Sequence, residues 1–511
     1  MTALRDVRRH LPSLTCATLA LAAGASCGGV ASDGLADAAK PAIDSGHMTI
    51  VTHHDADVDA THGGDTGPGA DAGTTDGPSD AHKQKVDTGV DAGPPPNFGE
   101  ASTTYPAFAA DVPQVQTQGG PTLSSPHIVT VTWPGEPNAS AFEAFGDDIG
   151  RSPYWTATTS EYGVGPAWSG PGSHVRLTEQ PIAEWADTAL DAWLSDHLAN
   201  NTKYGLPAPD GQTLYVLYLS TSTNLSVSGA NGCQQGIGGY HGNLNGTDFA
   251  YAVILQCDGA QLSEATSSAS HELVEAATDP HPMDIPAYYG FDSAHLAWDV
   301  FQSFQDEVAD ACEFYYGQNG SFYSQPFAIT EEATFDAGAE AGDAGHDAGL
   351  VPDAGLVSFS VQRTWSNAMA AAGHHPCVPA VPGPYFAVTP LDTETVTINL
   401  SSMGGDPNAQ TLGYKIVSGQ TKTFPVGFHS DAPTSGPWTI SVSEGNPVLG
   451  GSQTSHLTMS IDKPSGVNGD IAYITITVTS VDTSMNGELV TIESELAGFG
   501  RTYVPILISN Q

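Results

Sequence analysis

The run Ser270-His271-Glu272-Leu273-Val274-Glu275-Ala276-Ala277-Thr278-Asp279-Pro280 carries the densest chemistry in the chain. On a helix His271 and Glu275, four residues apart, share a face and can ligate one metal ion. Glu272 then stands where the glutamate of the H-E-x-x-H pattern takes a proton from the water that attacks a substrate. Here Glu275 replaces the second histidine of that pattern. A carboxylate ligand adds negative charge and leaves the ion a weaker Lewis acid. Zinc is the expected ion. Glu307, in Glu307-Val308-Ala309-Asp310-Ala311-Cys312, is the first choice of third ligand, with Asp310 to orient it or a histidine, an arrangement that resembles the distant third Glu of gluzincin peptidases. His281 is the alternative, from the metzincin spacing, although Thr278 stands where that pattern has Gly. Asp279 is a further carboxylate that could orient or replace a ligand. Tyr240 and His241, in a glycine-rich stretch, could donate hydrogen bonds to a substrate or its oxyanion.

The same residues on an exposed helix would be ordinary solvated groups. Leu273, Val274, Ala276 and Ala277 instead make the helix apolar around the acids, so the carboxylates are expected to be buried, and a buried carboxylate needs a partner. With 14 Lys and Arg against 57 Asp and Glu, a metal ion is the readier partner than a basic side chain. The net charge of -43 also excludes a nucleic-acid partner and disfavours an anionic membrane surface. No G-x-S-x-G elbow, phosphate-binding loop or dinucleotide fingerprint offers a rival chemistry.

An α/β, or α+β, domain should position these residues. His127 to Trp133, Thr213 to Ser220 and Phe249 to Leu255 read as strands. Ile182 to Leu198 reads as an amphipathic helix, and a second helix is expected over residues 262 to 277. After Pro384, short alternating runs separated by glycine turns predict a β-sandwich, Ig-like, over residues 383–511. Residues 1–27 read as an export signal, cleaved either after Ala23-Gly24-Ala25 or before Cys27, which would then be lipidated. Residues 28–120 read as a disordered acidic linker, rich in Asp, Ala and Gly. The domain itself is expected over 121–382, with a disordered Asp-Ala-Gly-rich insertion at 334–356. Four cysteines remain for an oxidising compartment. Chain order favours Cys233 with Cys257 and Cys312 with Cys377, while no C-x-x-C pair speaks for a four-cysteine metal site.

Tyr162-Gly163-Val164-Gly165-Pro166, Gly239-Tyr240-His241, Tyr251-Ala252-Val253-Ile254, His271 to Pro280, Glu307-x-x-Asp310-x-Cys312 and Val361-Gln362-x-x-Trp365-Ser366-Asn367 resemble a family of poorly characterised bacterial secreted proteins. That family is distantly similar to the plant Exordium, or phosphate-induced, cell-wall proteins. The resemblance covers roughly residues 125 to 380 and implies a secreted α/β domain of metallohydrolase type. The expectation is a secreted or surface-anchored zinc-dependent, peptidase-like hydrolase, monomeric, acting on peptide, protein or cell-wall material. It would touch a membrane only through a lipid on Cys27. The competing expectation is a non-catalytic extracellular protein with a structural acidic or calcium site and an adhesive β-sandwich.

Overall fold

Alternating apolar residues of His127–Thr132 place Ile128 on one face and Val129 and Val131 on the other, and both faces are covered. This strand belongs to a five-stranded sheet. Its order is His174–Arg176, His127–Thr132, Thr213–Tyr218, Ala250–Ile254 and Gly239–Asn243. The first four run parallel, and Gly239–Asn243 closes the edge antiparallel. Every residue of Thr213–Tyr218 and Ala250–Ile254 is buried, as strands covered on both sides require. One face packs on the helices Ala139–Ile149 and Leu262–Thr278 through Phe142, Phe145, Leu273 and Val274. The other face packs on Asp187–Ala199 through Leu190 and Leu194.

The computed structural model describes residues 101–511 except 245–246, 258–260, 283, 304–306, 314–315, 318–324, 329–357, 404 and 449–454. The export signal, Cys27, the linker up to residue 100 and the insertion 334–356 lie outside these residues. Those described belong to one compact unit, Pro41–Gln511. Among them no helix is long and apolar enough to cross a membrane.

Two expectations shift at their edges. The helix expected from Ile182 begins at Asp187, because Trp185 lies in the short strand Glu184–Ala186, paired in parallel with Asn224–Val227, and Ile182 is exposed. The linker expected to reach residue 120 ends by Ala101. From there the chain forms a strap: the Ser102 and Ala107 N–H groups donate to Asn468, the Thr389 hydroxyl donates to the Ala109 carbonyl, and Val115–Thr117 pairs with Tyr288–Phe291. Val112 and Val115 are buried in the main core, which offsets the entropy of ordering this segment.

The C-terminal region is β-rich, as the alternation predicts. One sheet runs Phe386–Pro390, Thr421–Ser430, Ile471–Val478, Leu457–Ile461. The other runs Glu394–Ile398, Ala409–Lys415, Gly500–Ser509, Gly487–Leu496, Trp438–Glu444, Ser465–Gly466, with Tyr316–Gly317 also on Gly500–Ser509. Phe424, Phe428 and Ile474 from the first and Ile440, Ile492 and Val504 from the second share one core. This region is joined to the α/β region directly: the Asn446 amide donates to the Phe301 carbonyl, and the Thr411 hydroxyl donates to the Ala294 carbonyl.

Candidate metal centre

The helix Leu262–Thr278 is buried continuously from Ala269 to Thr278, so it must carry His271, Glu272 and Glu275 inward. Glu275 is completely enclosed and His271 and Glu272 are 1% exposed. Three neighbouring segments complete the surroundings. The edge strand Gly239–Asn243 brings His241, and the turn Glu307 to Cys312 brings Glu307 and Asp310. Gln362, just past the strand Ser358–Val361, donates its N–H to the Ser270 hydroxyl at 2.8 Å.

One oxygen of Glu275, Oε1, is committed to the backbone, accepting the N–H groups of Ala309 and Asp310, each at 3.1 Å. Its other oxygen, Oε2, stands 3.1 Å from His271 Nε2 and 3.6 Å from His241 Nδ1. His241 Nδ1 is 3.7 Å from Glu272 Oε2, and its Nε2 is 3.5 Å from Glu307 Oε1. Among the described residues neither ring nitrogen of this buried histidine makes a hydrogen bond; both sit at ion-pair separations from carboxylates. His271 Nε2 is 3.4 Å from Asp310 Oδ1, while Asp310 Oδ2 accepts the Glu307 N–H. Asp310 thus orients both Glu307 and His271.

Two disulfides form with the favoured pairing, Cys233–Cys257 and Cys312–Cys377. The second pins the turn that bears Glu307 and Asp310. The Trp365 N–H to the Val308 carbonyl and the Gln362 amide to the Ala309 carbonyl hold the same turn from the other side.

The electrostatics follow from this crowding. Burial opposes a charge on His241, but Glu307, with Glu272 and Glu275, holds its pKa well above the ordinary histidine value. Burial pushes Glu275 up, yet His271 and His241 outweigh it and keep the carboxyl below its usual range. Glu307 is driven well above the usual range by burial, despite His241, with Glu275, Asp279 and Asp310 adding repulsion. Four carboxyls, Glu272, Glu275, Glu307 and Asp310, face two imidazoles, so the fully ionised cluster keeps an excess of negative charge even with both histidines protonated. Buried Arg363 acts on Tyr154, which also senses His271 and Glu275. Its single charge halves the excess of the fully ionised cluster without removing it.

Within this cluster two groups could each hold a metal ion, His241 with Glu275 and Glu307, and His271 with Glu272 and Glu275, the donor atoms of each lying within 4.8 Å of one another; a third such group among the described residues, Glu444, His456 and Glu488, lies in the β-rich region. A tetrahedral zinc with bonds of about 2.0–2.2 Å sets its donors roughly 3.3–3.6 Å apart. Glu275 Oε2 lies 3.1 Å from His271 Nε2 and 3.6 Å from His241 Nδ1, close to that spacing, while Glu307 Oε1 approaches His241 at its other ring nitrogen, 3.5 Å from Nε2.

Other residues singled out in the sequence lie elsewhere or act differently. His241 is more central than a donor to substrate, because it sits between Glu307 and the two helix glutamates. Tyr240 alternates to the opposite face of the strand and joins the core around Trp185 and Tyr251, so it does not flank the cluster as an oxyanion donor. Asp279 closes the turn after the helix by accepting the Ala287 N–H at 2.8 Å, and burial raises its pKa to about 6. His281 belongs to neither donor group; the helix ends at Thr278, and the chain after Asp279 and Pro280 carries His281 towards Asp284 and Asp248 instead.

No protein-family model and no curated protein matches the chain. Among solved structures it is similar to domains 4 and 5 of the S-layer protein SbsC, at 17% identity, with 27% of this chain and 64% of that one covered and a TM-score of 0.14. It is also similar to a Bacteroides ovatus GH5 xyloglucanase in complex with a XXXG heptasaccharide, at 18% identity, with 19% of this chain and 16% of that one covered and a TM-score of 0.12. The chain thus spans less than two thirds of the length of these structures, and superpositions at such scores define neither its fold nor its activity.

Proposed function

We propose that the chain is an exported, zinc-dependent, peptidase-like hydrolase whose α/β region would hold the metal on three donors, His241, Glu275 and Glu307, leaving a position for water, with His271 beside Glu275 and with Glu272 as general base. One observation carries the reading: the six-residue cluster of histidine and carboxylate side chains is buried, spaced as metal ligands are, and short of positive charge. Bound zinc supplies Lewis acidity. Glu275 would present one oxygen to it, because its other oxygen is held by two backbone N–H groups, and Asp310 fixes His271 and the Glu307 turn. Glu272 takes a proton from the attacking water and returns it to the leaving group. The two disulfides fit a protein that matures outside the cytosol.

A second reading draws on the depth of the site. Glu307, the most exposed donor of either group, is only 4% exposed. Such closure favours a structural centre, for zinc or calcium, in a non-catalytic extracellular protein of the Exordium type.

Elemental analysis of the purified full-length chain, with peptide hydrolysis assayed in parallel, tests both. The hydrolase reading expects bound zinc that Glu275→Gln removes, and a Glu272→Gln variant that keeps zinc while losing about 100-fold or more in hydrolysis. Zinc without hydrolysis in the parent supports the structural reading. A parent without bound metal overturns both.

A further inference from the structure

The two donor groups share Glu275, and each has its own histidine. From this arrangement we propose that the cluster binds two divalent cations of the first transition series, bridged by Glu275, an inference that rests on the metal-centre reading above and extends it from one ion to two.

Glu275 is built for sharing. Its Oε1 is occupied by the Ala309 and Asp310 N–H groups, which leaves Oε2 as its donor, and Oε2 lies between His271 Nε2 at 3.1 Å and His241 Nδ1 at 3.6 Å. On one side the ion takes His241, Glu307 and Glu275. On the other the donor group is His271, Glu272 and Glu275, and Asp310 Oδ1, 3.4 Å from His271 Nε2, is the carboxylate that would take the place of Glu272 while Glu272 serves as the base. Both histidines are almost fully buried, and both ring nitrogens of His241 lack hydrogen bonds while pointing at carboxylates.

Charge counting separates one ion from two. Histidine ligates in its neutral form. The four carboxylates then carry four negative charges, which two divalent ions neutralise. One ion leaves two negative charges in a site closed to solvent, of which Arg363 near Tyr154 offsets at most one. Paired ions bridged by a carboxylate are a recurrent device for clamping the attacking and leaving oxygens of a hydrolytic reaction.

The test is the stoichiometry of the full-length chain, stripped with chelator and titrated with Zn2+ alone, read by calorimetry and native mass spectrometry. The expected result is two equivalents per chain. His241→Ala and Glu307→Gln should each retain one equivalent, and so should His271→Ala and Asp310→Asn, while Glu275→Gln should weaken both by at least tenfold. Circular dichroism and melting of each variant in chelator, beside the parent in chelator, separate lost ligands from lost folding. A second readout is Mn2+ loaded in place of Zn2+: a spin-coupled pair is expected in the parent and an isolated six-line spectrum in His271→Ala. One equivalent in the parent, or loss of all metal in each well-folded single-side variant, overturns the two-ion site while leaving the metal centre intact. No metal at all in the parent overturns the proposed function itself.

Discussion

Gly239 decides how closely Glu272 can lie against the edge strand. A Cβ at this position would stand 2.7 Å from Glu272 Oε1 and 2.9 Å from the Val253 carbonyl oxygen, and neither a sheet carbonyl nor a buried carboxylate can retreat without disturbing the cluster. Gly239→Ala is therefore expected to cost about 1–3 kcal/mol in urea unfolding and to weaken zinc binding, because the clash is relieved only by moving Glu272 or the strand that carries His241. Gly170→Ala, where nothing lies within 4 Å, is the control and should change neither. A Gly239→Ala protein with parental stability and metal affinity would mean that Glu272 has room to spare. At this scale the sequence was informative only where donors are local. His271 and Glu275 announce themselves through helical spacing, and Glu307 through its closeness to Asp310 and Cys312. The place of His241 is not readable in the same way, since a histidine some 30 residues upstream reaches the cluster only because its strand turns antiparallel at the sheet edge and alternation aims it inward.

The helix Leu262–Thr278 is positioned by its neighbours as much as by its own apolar residues. The Ser270 hydroxyl accepts the Gln362 N–H and donates to the Ser267 carbonyl at 2.7 Å, joining the helix to the segment that follows Ser358–Val361 inside the core. Ser270→Ala leaves the Gln362 N–H buried without that acceptor, at an expected cost of about 1–3 kcal/mol. The effect should appear in chemical unfolding of both the zinc-loaded and the stripped protein, since the bond belongs to the framework and not to the metal. A loss confined to the loaded form would contradict this. Elements with a single strong period were legible: the runs around Leu214 and Val253, the helix at 262, and the alternation of Ile471–Val478. The stretch from Ile182 was not, because Ile182 and Trp185, three residues apart, fit a helical stripe by spacing while the backbone at Glu184–Ala186 pairs with Asn224–Val227. A tertiary pairing overrode a local pattern there.

Across the whole molecule, the strap from Ala101 ties the β-rich region to the α/β region, and His295 is its electrostatic clasp. Composition made residues 28–120 look uniformly unstructured, yet Phe108 lies against the backbone of Gly427 and Val112 and Val115 enter the core, so the few apolar residues near the end of that stretch were the signal that average composition hides. Within the strap, Asp111 Oδ1 is 3.1 Å from His295 Nε2, and Asp292 Oδ1 is 2.7 Å from His295 Nδ1. Burial works against a charge on His295, but the two carboxylates outweigh it and raise its pKa to about 9, from 6.5 for a free histidine. A group whose pKa is higher in the folded state binds its proton more tightly there, so its stabilisation is complete below about pH 6.5 and disappears as the pH rises through 9. The difference corresponds to at most roughly 3 kcal/mol, and less if solvent screens Asp111, which is about one-third exposed. Urea unfolding of the parent at pH 6 and pH 10 should show this loss, while His295→Gln should be less stable than the parent at pH 6 and nearly equal to it at pH 10. Because the strap spans both regions and Asn446 and Thr411 join them elsewhere, the loss should lower a single cooperative transition. A parent and variant that differ equally at both pH values would show that the clasp holds the strap without its charge, and a transition split in two would show that the regions unfold independently.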